Sequence, residues 1–260
     1  MTITRRNHGQ GHSYWVDGIP GFTGPVKLPG VTTILQMSPK PGLIKWAAET
    51  TAAAAVDYWS ELAELKPSER LKRLNGARFE DRDTAARRGT EVHALAERLV
   101  NDEPVEVPDE LTGHVEAYLQ FLDEWEVDPL AVELVVVNRA LRYCGTIDLV
   151  ADLRGTTWLL EIKTSRSGVY AESALQACGY LHAERYTTPG EGGAEHPLAE
   201  LGIERCGAVW VRGDGYDLIP LEVGAEVWAY FQHLRALHEA DEARQEWTGP
   251  AIQPLRLVGS

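Results

Sequence analysis

Cysteine is scarce in this sequence, and long apolar runs are missing. The three cysteines, Cys144, Cys178 and Cys206, are far apart in the 260-residue chain and form no C-x-x-C pair. This spacing argues against a disulfide framework or a zinc ribbon and predicts three buried thiols in a reducing compartment. No stretch approaches the ~20 apolar residues of a membrane helix. Residues 1–10 are polar and do not resemble a secretory signal, so we expect a cytoplasmic protein.

Basic residues are outnumbered, since 25 Lys and Arg face 39 Asp and Glu and give a formal net charge of −14. This balance disfavours a broad nucleic-acid-binding surface, because phosphate contacts come from Lys and Arg. One local cluster, from Lys66 to Arg88, contains eight basic and four acidic residues. Such a cluster is more often a solvated helix face with mixed charge pairs than a binding surface.

The N-terminal part of the chain, residues 1–125, is predicted to combine an arm with helices. Residues 1–30 are rich in Gly and Pro and predict an irregular arm, with a short hairpin around Tyr14 to Asp17. Start signals and helical spacing of apolar residues then predict four helices. They run from Pro41 to Trp59, from Pro67 toward Leu74, from Thr84 to Val100 and from Leu111 to Trp125.

The remainder, residues 126–260, is predicted to be an α/β core. Residues 131–137, 141–153 and 156–163 have strand patterns separated by short turns, which predicts an antiparallel meander. The pattern continues with a helix at 171–185, a loop at 187–198, strands at 206–211 and 216–223, and a helix at 225–246. We therefore expect a single α/β domain over residues 1–260, with a central mixed β-sheet flanked by helices and an N-terminal helical elaboration.

Charged residues interrupt two of the predicted strands. Asp148 lies in an otherwise apolar strand and should point opposite to Ile147 and Leu149. Glu161 and Lys163 share one face of the next strand, and the turn at residues 154–155 would place Asp148 and Glu161 near cross-strand positions. Crowded carboxylates are unfavourable without a cation, and hard cations such as Mg²⁺ prefer oxygen ligands. The alternative is a buried ion pair without catalytic function.

These residues resemble the D…(D/E)-x-K signature of the PD-(D/E)XK nucleases, which implies a restriction-endonuclease-like fold. Further motifs resemble the RecB-like, phage-type branch of that superfamily. Gly145 lies three residues before Asp148, Gln176 and Tyr180 form a Q-x-x-x-Y motif, and the segment 88–93, Arg-Gly-Thr-Glu-Val-His, resembles the helix whose histidine binds metal. The segment 29–35, Pro-Gly-Val-Thr-Thr-Ile-Leu, resembles the N-terminal region of phage-borne members. The ordered set is far more specific than D…E-x-K alone.

The resemblance implies a set of metal ligands and a chemistry. His93, Asp148, Glu161 and the backbone carbonyl of Ile162 would bind one or two Mg²⁺ or Mn²⁺ ions. Lys163 would position the attacking water, and Gln176 and Tyr180 would steady the lysine and contact the phosphate backbone. An iron–sulfur cluster, which some relatives hold with four cysteines, is not expected from three cysteines at unsuitable positions.

The implied activity is phosphodiester hydrolysis to 5′-phosphate products. An exonuclease acting on linear or single-stranded DNA ends in recombination, repair or phage DNA processing is favoured over a sequence-specific endonuclease. Recombination or replication proteins would be its partners. Exonuclease or endonuclease action, polarity, strand preference and oligomeric state are left open. The alternatives are a non-catalytic DNA-binding or assembly module with a nuclease-like fold, and a hydrolase of another phosphate ester.

Several residues around the motifs could either contribute to the site or have a structural or surface position only. Arg87, Arg88 and Arg166 are candidate phosphate contacts. Glu133 on the first core strand either supports the site from behind or faces away from it. His93 alone would more often be a core histidine, and only the accompanying motifs favour metal ligation. Glu97, one turn after it, is either an extra ligand or a surface acid, and the second interpretation is favoured.

Overall fold

The computed structural model describes residues 2–8, 11–101, 103–189 and 192–250, without the side chains of residues 80–85, 245 and 246. Ten strands are described: β1 (Ile3–His8), β2 (Gly11–Val16), β3 (Val26–Leu28), β4 (Val127–Asn138), β5 (Tyr143–Leu153), β6 (Thr156–Lys163), β7 (Arg185–Thr187), β8 (His196–Pro197), β9 (Arg205–Arg212) and β10 (Gly215–Pro220). The α-helices are α1 (Val31–Ile34), α2 (Pro41–Asp57), α3 (Trp59–Glu64), α4 (Pro67–Val100), α5 (Thr112–Glu124), α6 (Ala171–Leu181) and α7 (Ala225–Ala243). Short 3-10 helices span Leu35–Met37, Asp109–Leu111, Leu198–Leu201 and Arg244–Trp247.

A seven-stranded mixed sheet forms the centre of the fold, in the order β10-β9-β6-β5-β4-β7-β8. Strands β4, β5 and β6 form the predicted antiparallel meander. After the crossover through α6, β9 pairs with β6 in parallel. The prediction of a mixed sheet flanked by helices is therefore confirmed.

Helices cover both faces of this sheet. On one face, α1, α6 and α7 pack over a core that includes Leu134, Ile147 and Leu159. On the other, α4 and α5 pack over a second core that includes Leu149 and Leu160. Within the described part of the chain, no helix is long and apolar enough to cross a membrane. The three cysteines are buried as predicted, and burial raises the pKa of each thiol.

The N-terminal segment departs from the prediction of an irregular arm. Strands β1, β2 and β3 form a separate three-stranded antiparallel sheet. Its buried residues Ile3 and Val16 pack with Val135, Val137 and Cys144 of the central sheet in a third apolar cluster. The sheet forms because an alternating inner face gains this burial, which is a long-range contact that local Gly and Pro signals do not reveal.

Other boundaries also differ from the prediction. The two helices predicted at 67–74 and 84–100 are one helix, α4, which begins with Pro67 and is capped by the backbone N–H of Lys66 donating to Oε2 of Glu69. Helix α6 ends at Leu181 rather than 185, and the next residues form β7 on the edge of β4. The predicted loop at 187–198 contains β8. In each case pairing or capping that involves distant or flanking residues outweighs the local pattern.

Candidate active site

The site lies where β5 and β6 separate. Their pairing runs from Leu153–Thr156 to Leu149–Leu160 and stops there. Beyond this last pair, the backbone N–H of Ile162 donates a 2.8 Å hydrogen bond to Oδ2 of Asp148. The Asp148 carboxylate thus accepts a hydrogen bond that a backbone carbonyl of β5 would accept in a continuous ladder. We call this point the fork, meaning the divergence of the two strands at Asp148 and Glu161.

The alternation of side chains breaks at the fork on β5. Ile147 belongs to the core beneath α6 and α7, whereas Leu149 belongs to the core beneath α4 and α5. The prediction that both residues point away from Asp148 on the same face is therefore wrong. A strand that kept its period would place residues two apart on one face. The break lets apolar neighbours fill both cores while Asp148 stays at the gap between strands.

The neighbouring strand breaks at the matching position. Val132 and Leu134 also lie in opposite cores, and Glu133 between them has a left-handed backbone with φ of 52°. Such a conformation is uncommon for glutamate and costs of order 1–2 kcal/mol. Glu133 forms a 2.6 Å ion pair with Arg5 of the N-terminal sheet. Two adjacent strands are thus both irregular beside the site, which is where strain is commonly found in proteins.

On the α4 side of the fork, His93 contacts Asp148. Its Nδ1 lies 3.3 Å from Oδ1, with the two side chains 32% and 12% exposed. Burial opposes a charge on either group, yet their mutual attraction prevails. It raises the pKa of His93 to about 9 and, with Lys163 and the N–H of Ile162, lowers the pKa of Asp148. Both are therefore charged at neutral pH. Val92 and Ala96 of α4 are buried beside them and fix the helix on the sheet.

On the α6 side, four residues form a hydrogen-bonded network. Nζ of Lys163 lies 3.1 Å from Oε2 of Glu161 and donates at 2.9 Å to Oε1 of Gln176. The amide nitrogen of Gln176 donates to Oε2 of Glu161 at 2.8 Å and to the hydroxyl of Tyr180 at 2.9 Å. The predicted Q-x-x-x-Y residues therefore meet the E-x-K residues directly, because positions four apart share a helical face.

Glu161 is the most deeply buried member of this network, at 1% exposure of its side chain. Burial and the nearby negative charge of Asp148 raise the pKa of Glu161 to about 8. Burial opposes the charge on Lys163, but attraction to Glu161 and Asp148 outweighs it and raises the pKa of the lysine. Within the described residues, Oε1 of Glu161 is buried without a hydrogen-bond partner. An unsatisfied buried carboxylate oxygen is unfavourable and indicates that a ligand or proton belongs there.

Gly145 makes room for Tyr180. A Cβ at this position would overlap the Tyr180 ring and approach Val31. The glycine is thus required by close packing, which accounts for its place three residues before Asp148. Gly89 of α4, by contrast, leaves room for a Cβ, with only the Thr164 hydroxyl nearby at 3.5 Å. Close packing therefore does not require glycine at position 89.

A small cavity of about 10 Å³ lies beside His93 and Asp148, large enough for a single water. Its walls include Glu133 and Glu97 as well. Glu97 is half-buried and lines this cavity, while the choice between an extra ligand and a surface acid stays open. Glu133, for which two orientations were considered, faces the site region. The cavity brings three carboxylates and one imidazole to the α4 side of the fork.

The predicted ligands have the right donor chemistry for a cation but are divided between two sides. Among the residues that the structure describes, no group of three or more His, Cys, Asp and Glu side chains is arranged to hold a metal. His93 and Asp148 contact each other, while Glu161 contacts Lys163 and Gln176. Together the two sides contain one imidazole and two carboxylates, including the unpartnered Oε1 of Glu161, and this donor chemistry suits Mg²⁺ or Mn²⁺. Ile162 lies between the two sides and contributes its N–H to Asp148.

The candidate phosphate contacts differ in their surroundings. Arg87 is exposed on α4, and Arg166 is exposed in the loop after β6. Arg88 is half-buried, and its charge adds to burial in lowering the pKa of His114. Other members of the basic cluster have structural contacts, because Arg70 donates to the carbonyls of Leu62, Ala63 and Leu65, and Arg73 lies 3.7 Å from Glu61.

The sequence did not indicate that the N-terminal sheet reaches this site. Besides the Arg5–Glu133 pair, the hydroxyl of Tyr14 lies 2.8 Å from Oγ1 of Thr146, two residues before Asp148. Ile3 and Arg5 are two positions apart in the sequence, and so are Tyr14 and Val16. This spacing of two could have predicted two strands that share an inner face. No known family model and no curated protein sequence matches the chain. Its function is therefore inferred from the geometry of the fork.

Proposed function

We propose that this protein is a metal-dependent deoxyribonuclease of the PD-(D/E)XK class, with a restriction-endonuclease-like fold of the RecB-like, phage type. The observation that supports it most is the fork itself. Asp148 and Glu161 lie there on adjacent strands, with Lys163 and Gln176 bonded to Glu161 and with His93 against Asp148. Two carboxylates whose pKa values are driven apart, next to a lysine, are typical of hydrolytic sites.

In this proposal His93, Asp148, Glu161 and the carbonyl of Ile162 hold Mg²⁺ or Mn²⁺. The cation, when bound, supplies positive charge to the scissile phosphate and lowers the pKa of water. The cation would bind Oε1 of Glu161, which is buried and has no hydrogen-bond partner within the described residues. Asp148 is already ionised, and its orientation is fixed by the N–H of Ile162.

Lys163 has the clearest role among the chain's own residues. Its ammonium group has three donors, and Glu161 and Gln176 accept two of them. The third is left for the attacking water or a phosphate oxygen. Tyr180 bonds to Gln176, which in turn holds the lysine, so the network positions the charge before substrate arrives. Hydrolysis that leaves a 5′-phosphate, at linear or single-stranded DNA ends, is the activity we assign.

The test is incubation of the metal-free protein with end-labelled linear DNA and a covalently closed circle, with Mg²⁺, Mn²⁺ or chelator. We expect loss of the linear DNA only, metal dependence, and no activity in Asp148→Asn. Lys45→Ala, which removes an exposed lysine on α2, is the matched control and should cleave like the wild type. Cleavage by Asp148→Asn at the wild-type rate would overturn the assignment.

One observation favours a second candidate, a non-catalytic DNA-binding or assembly module. The described residues contain no ready group of three metal-ligating side chains. That candidate predicts DNA binding without hydrolysis and no calorimetric signal with Mn²⁺ up to millimolar concentration. The proposed nuclease predicts both hydrolysis and a Mn²⁺ signal that Asp148→Asn weakens.

A further inference from the structure

The inner face of the β1–β2 hairpin changes character along its length. Ile3 pairs with Val16, and both are buried in the cluster against the central sheet. The next inward pair is Arg5 with Tyr14. The pair beyond that is Asn7 with His12, and both of these residues are exposed. The apolar anchor therefore holds a polar end of the hairpin beside the fork.

Arg5 is held in place by one of its nitrogens. Nη1 lies 2.6 Å from Oε2 of Glu133, and this is its one side-chain hydrogen bond within the described part of the chain. Its Nε is buried without a partner in the same residues, although the side chain as a whole is 28% exposed. Glu133 lines the cavity with Asp148 and His93. Through this ion pair with Glu133, Arg5 is held next to a residue that lines the cavity at the fork.

Tyr14 connects the hairpin to β5, the strand that contains Asp148. Its hydroxyl lies 2.8 Å from Oγ1 of Thr146 and 2.8 Å from Nε2 of His12. The rings of His12 and Tyr14 also meet edge to face, with centroids 4.9 Å apart. Because Thr146 is two residues from Asp148, His12 is positioned at the edge of the site by two successive hydrogen bonds.

The charge of the hairpin differs from that of the whole chain. Residues 2–16 contain Arg5 and Arg6 and no Asp or Glu, in a chain of net charge −14. An acid-free segment beside an acidic centre is the surface to which a polyanion would be attracted. Guanidinium groups bind phosphate through their N–H donors, and Nη2 of Arg5 makes no hydrogen bond within the described residues.

We infer that Arg5 contacts a phosphate of the DNA substrate next to the fork, with His12 as a weaker second contact. The inference rests on the proposed nuclease function and assigns part of its substrate site to the N-terminal sheet. Glu133 acts as a positioning residue, because it holds Nη1 of the guanidinium and leaves Nη2 without a hydrogen bond in the described residues. The N-terminal sheet therefore forms a wall of the substrate site.

The experiment compares three variants for binding of a labelled single-stranded oligonucleotide in Ca²⁺, measured at several salt concentrations. In Arg5→Gln we expect about tenfold weaker binding and a salt dependence reduced by roughly one phosphate contact. Arg5→Gln/Glu133→Gln removes both charges, so it leaves no unpaired carboxylate. We expect it to stay as weak as the single variant. Arg6→Gln removes the same charge from the opposite, exposed face of β1 and should bind nearly like the wild type.

Recovery of wild-type affinity in the double variant would overturn the inference, since Arg5 would then serve only to neutralise Glu133. An equal loss in Arg6→Gln would also overturn it, because only overall charge would matter. Thermal unfolding of each variant shows that the fold is retained. If the wild type cleaves DNA and the double variant binds normally, the inference alone fails. If the wild type neither binds nor cleaves DNA, both proposals fail.

Discussion

The two sides of the fork stabilise their carboxylates in different ways. On the α4 side, Asp148 is partly exposed and is balanced by a charged histidine, His93. On the α6 side, Glu161 is almost fully buried and is surrounded by hydrogen-bond donors from Lys163 and Gln176. The pKa of Asp148 is lowered, whereas that of Glu161 is raised to about 8.

This difference shows how two close carboxylates can coexist without a cation. One stays ionised, while the other binds a proton, because two adjacent negative charges in a buried site repel each other. A divalent cation would replace the proton on Glu161. It would also balance the charge of Asp148 in place of the protonated His93. If the proposed metal site is correct, this arrangement is its protonated counterpart.

The largest expected effect comes from removing the cationic member of the α6 side. Lys163→Ala should lower the cleavage rate about 100- to 1,000-fold, as loss of a fixed charge-stabilising donor does in other enzymes. Mn²⁺ affinity should change little, since no ligand is lost. Single-turnover kinetics and Mn²⁺ calorimetry on one preparation check this. Near wild-type cleavage would remove Lys163 from the chemistry.

The next effect is a pH dependence of metal affinity. The pKa of Glu161 is raised to about 8 and that of His93 to about 9, so both hold protons at pH 7. As ligands both must lose them, so Mn²⁺ binding should strengthen as the pH rises toward 9, with release of about two protons near neutrality. Calorimetry in two buffers of different ionisation enthalpy measures the released protons. Glu161→Gln should release one fewer, and pH-independent affinity would contradict the interpretation.

A smaller effect concerns packing behind the α6 side. Gly145→Ala would force a Cβ against Tyr180 and should destabilise the protein by about 1–3 kcal/mol, as overpacking does. Gly89→Ala is the matched control, because its Cβ meets only ordinary contact. In a helix it should be neutral or stabilising by up to about 1 kcal/mol. Urea unfolding of the pair gives both values. Equal stability of the two variants would show that the Tyr180 ring moves aside at little cost in free energy.

The smallest effect is expected from the arginines of α4. Reversing Arg87 and Arg88 to Glu should weaken DNA binding several-fold and equally for different sequences, because phosphate contacts carry no sequence information. The loss should fade at high salt, where exposed charges are screened. Fluorescence anisotropy at low and high salt provides the comparison. Affinity that is unchanged at low salt would exclude both residues from the DNA surface.

Much of the central sheet could be predicted from the sequence. The meander of β4, β5 and β6 follows from β-branched runs and short turns, and its register places Asp148 opposite Glu161 by continuation of the Leu149–Leu160 pair. The contact between Gln176 and the E-x-K residues follows from helical spacing after a crossover. These features depend on residues near one another in sequence.

The remaining features depend on long-range contacts. Ile3 is the sole apolar residue of β1, so its strand depends on pairing with β2 and packing against β4. The left-handed backbone of Glu133 could not be expected, because glutamate seldom adopts it. The continuous α4 was obscured by Gly76 and the charged residues after it, although the surrounding residues favour helix. The position of Arg5 at the site follows from the same unpredicted sheet.

Whether the two sides share one cation is tested most directly by Mn²⁺ calorimetry of the metal-free protein and two single variants. His93→Ala changes only the α4 side, and Glu161→Gln changes only the α6 side. We expect each variant to lower Mn²⁺ affinity at least tenfold and to leave the fold intact by circular dichroism. Unchanged affinity in either variant would contradict this expectation, because that side of the fork would then contribute no ligand.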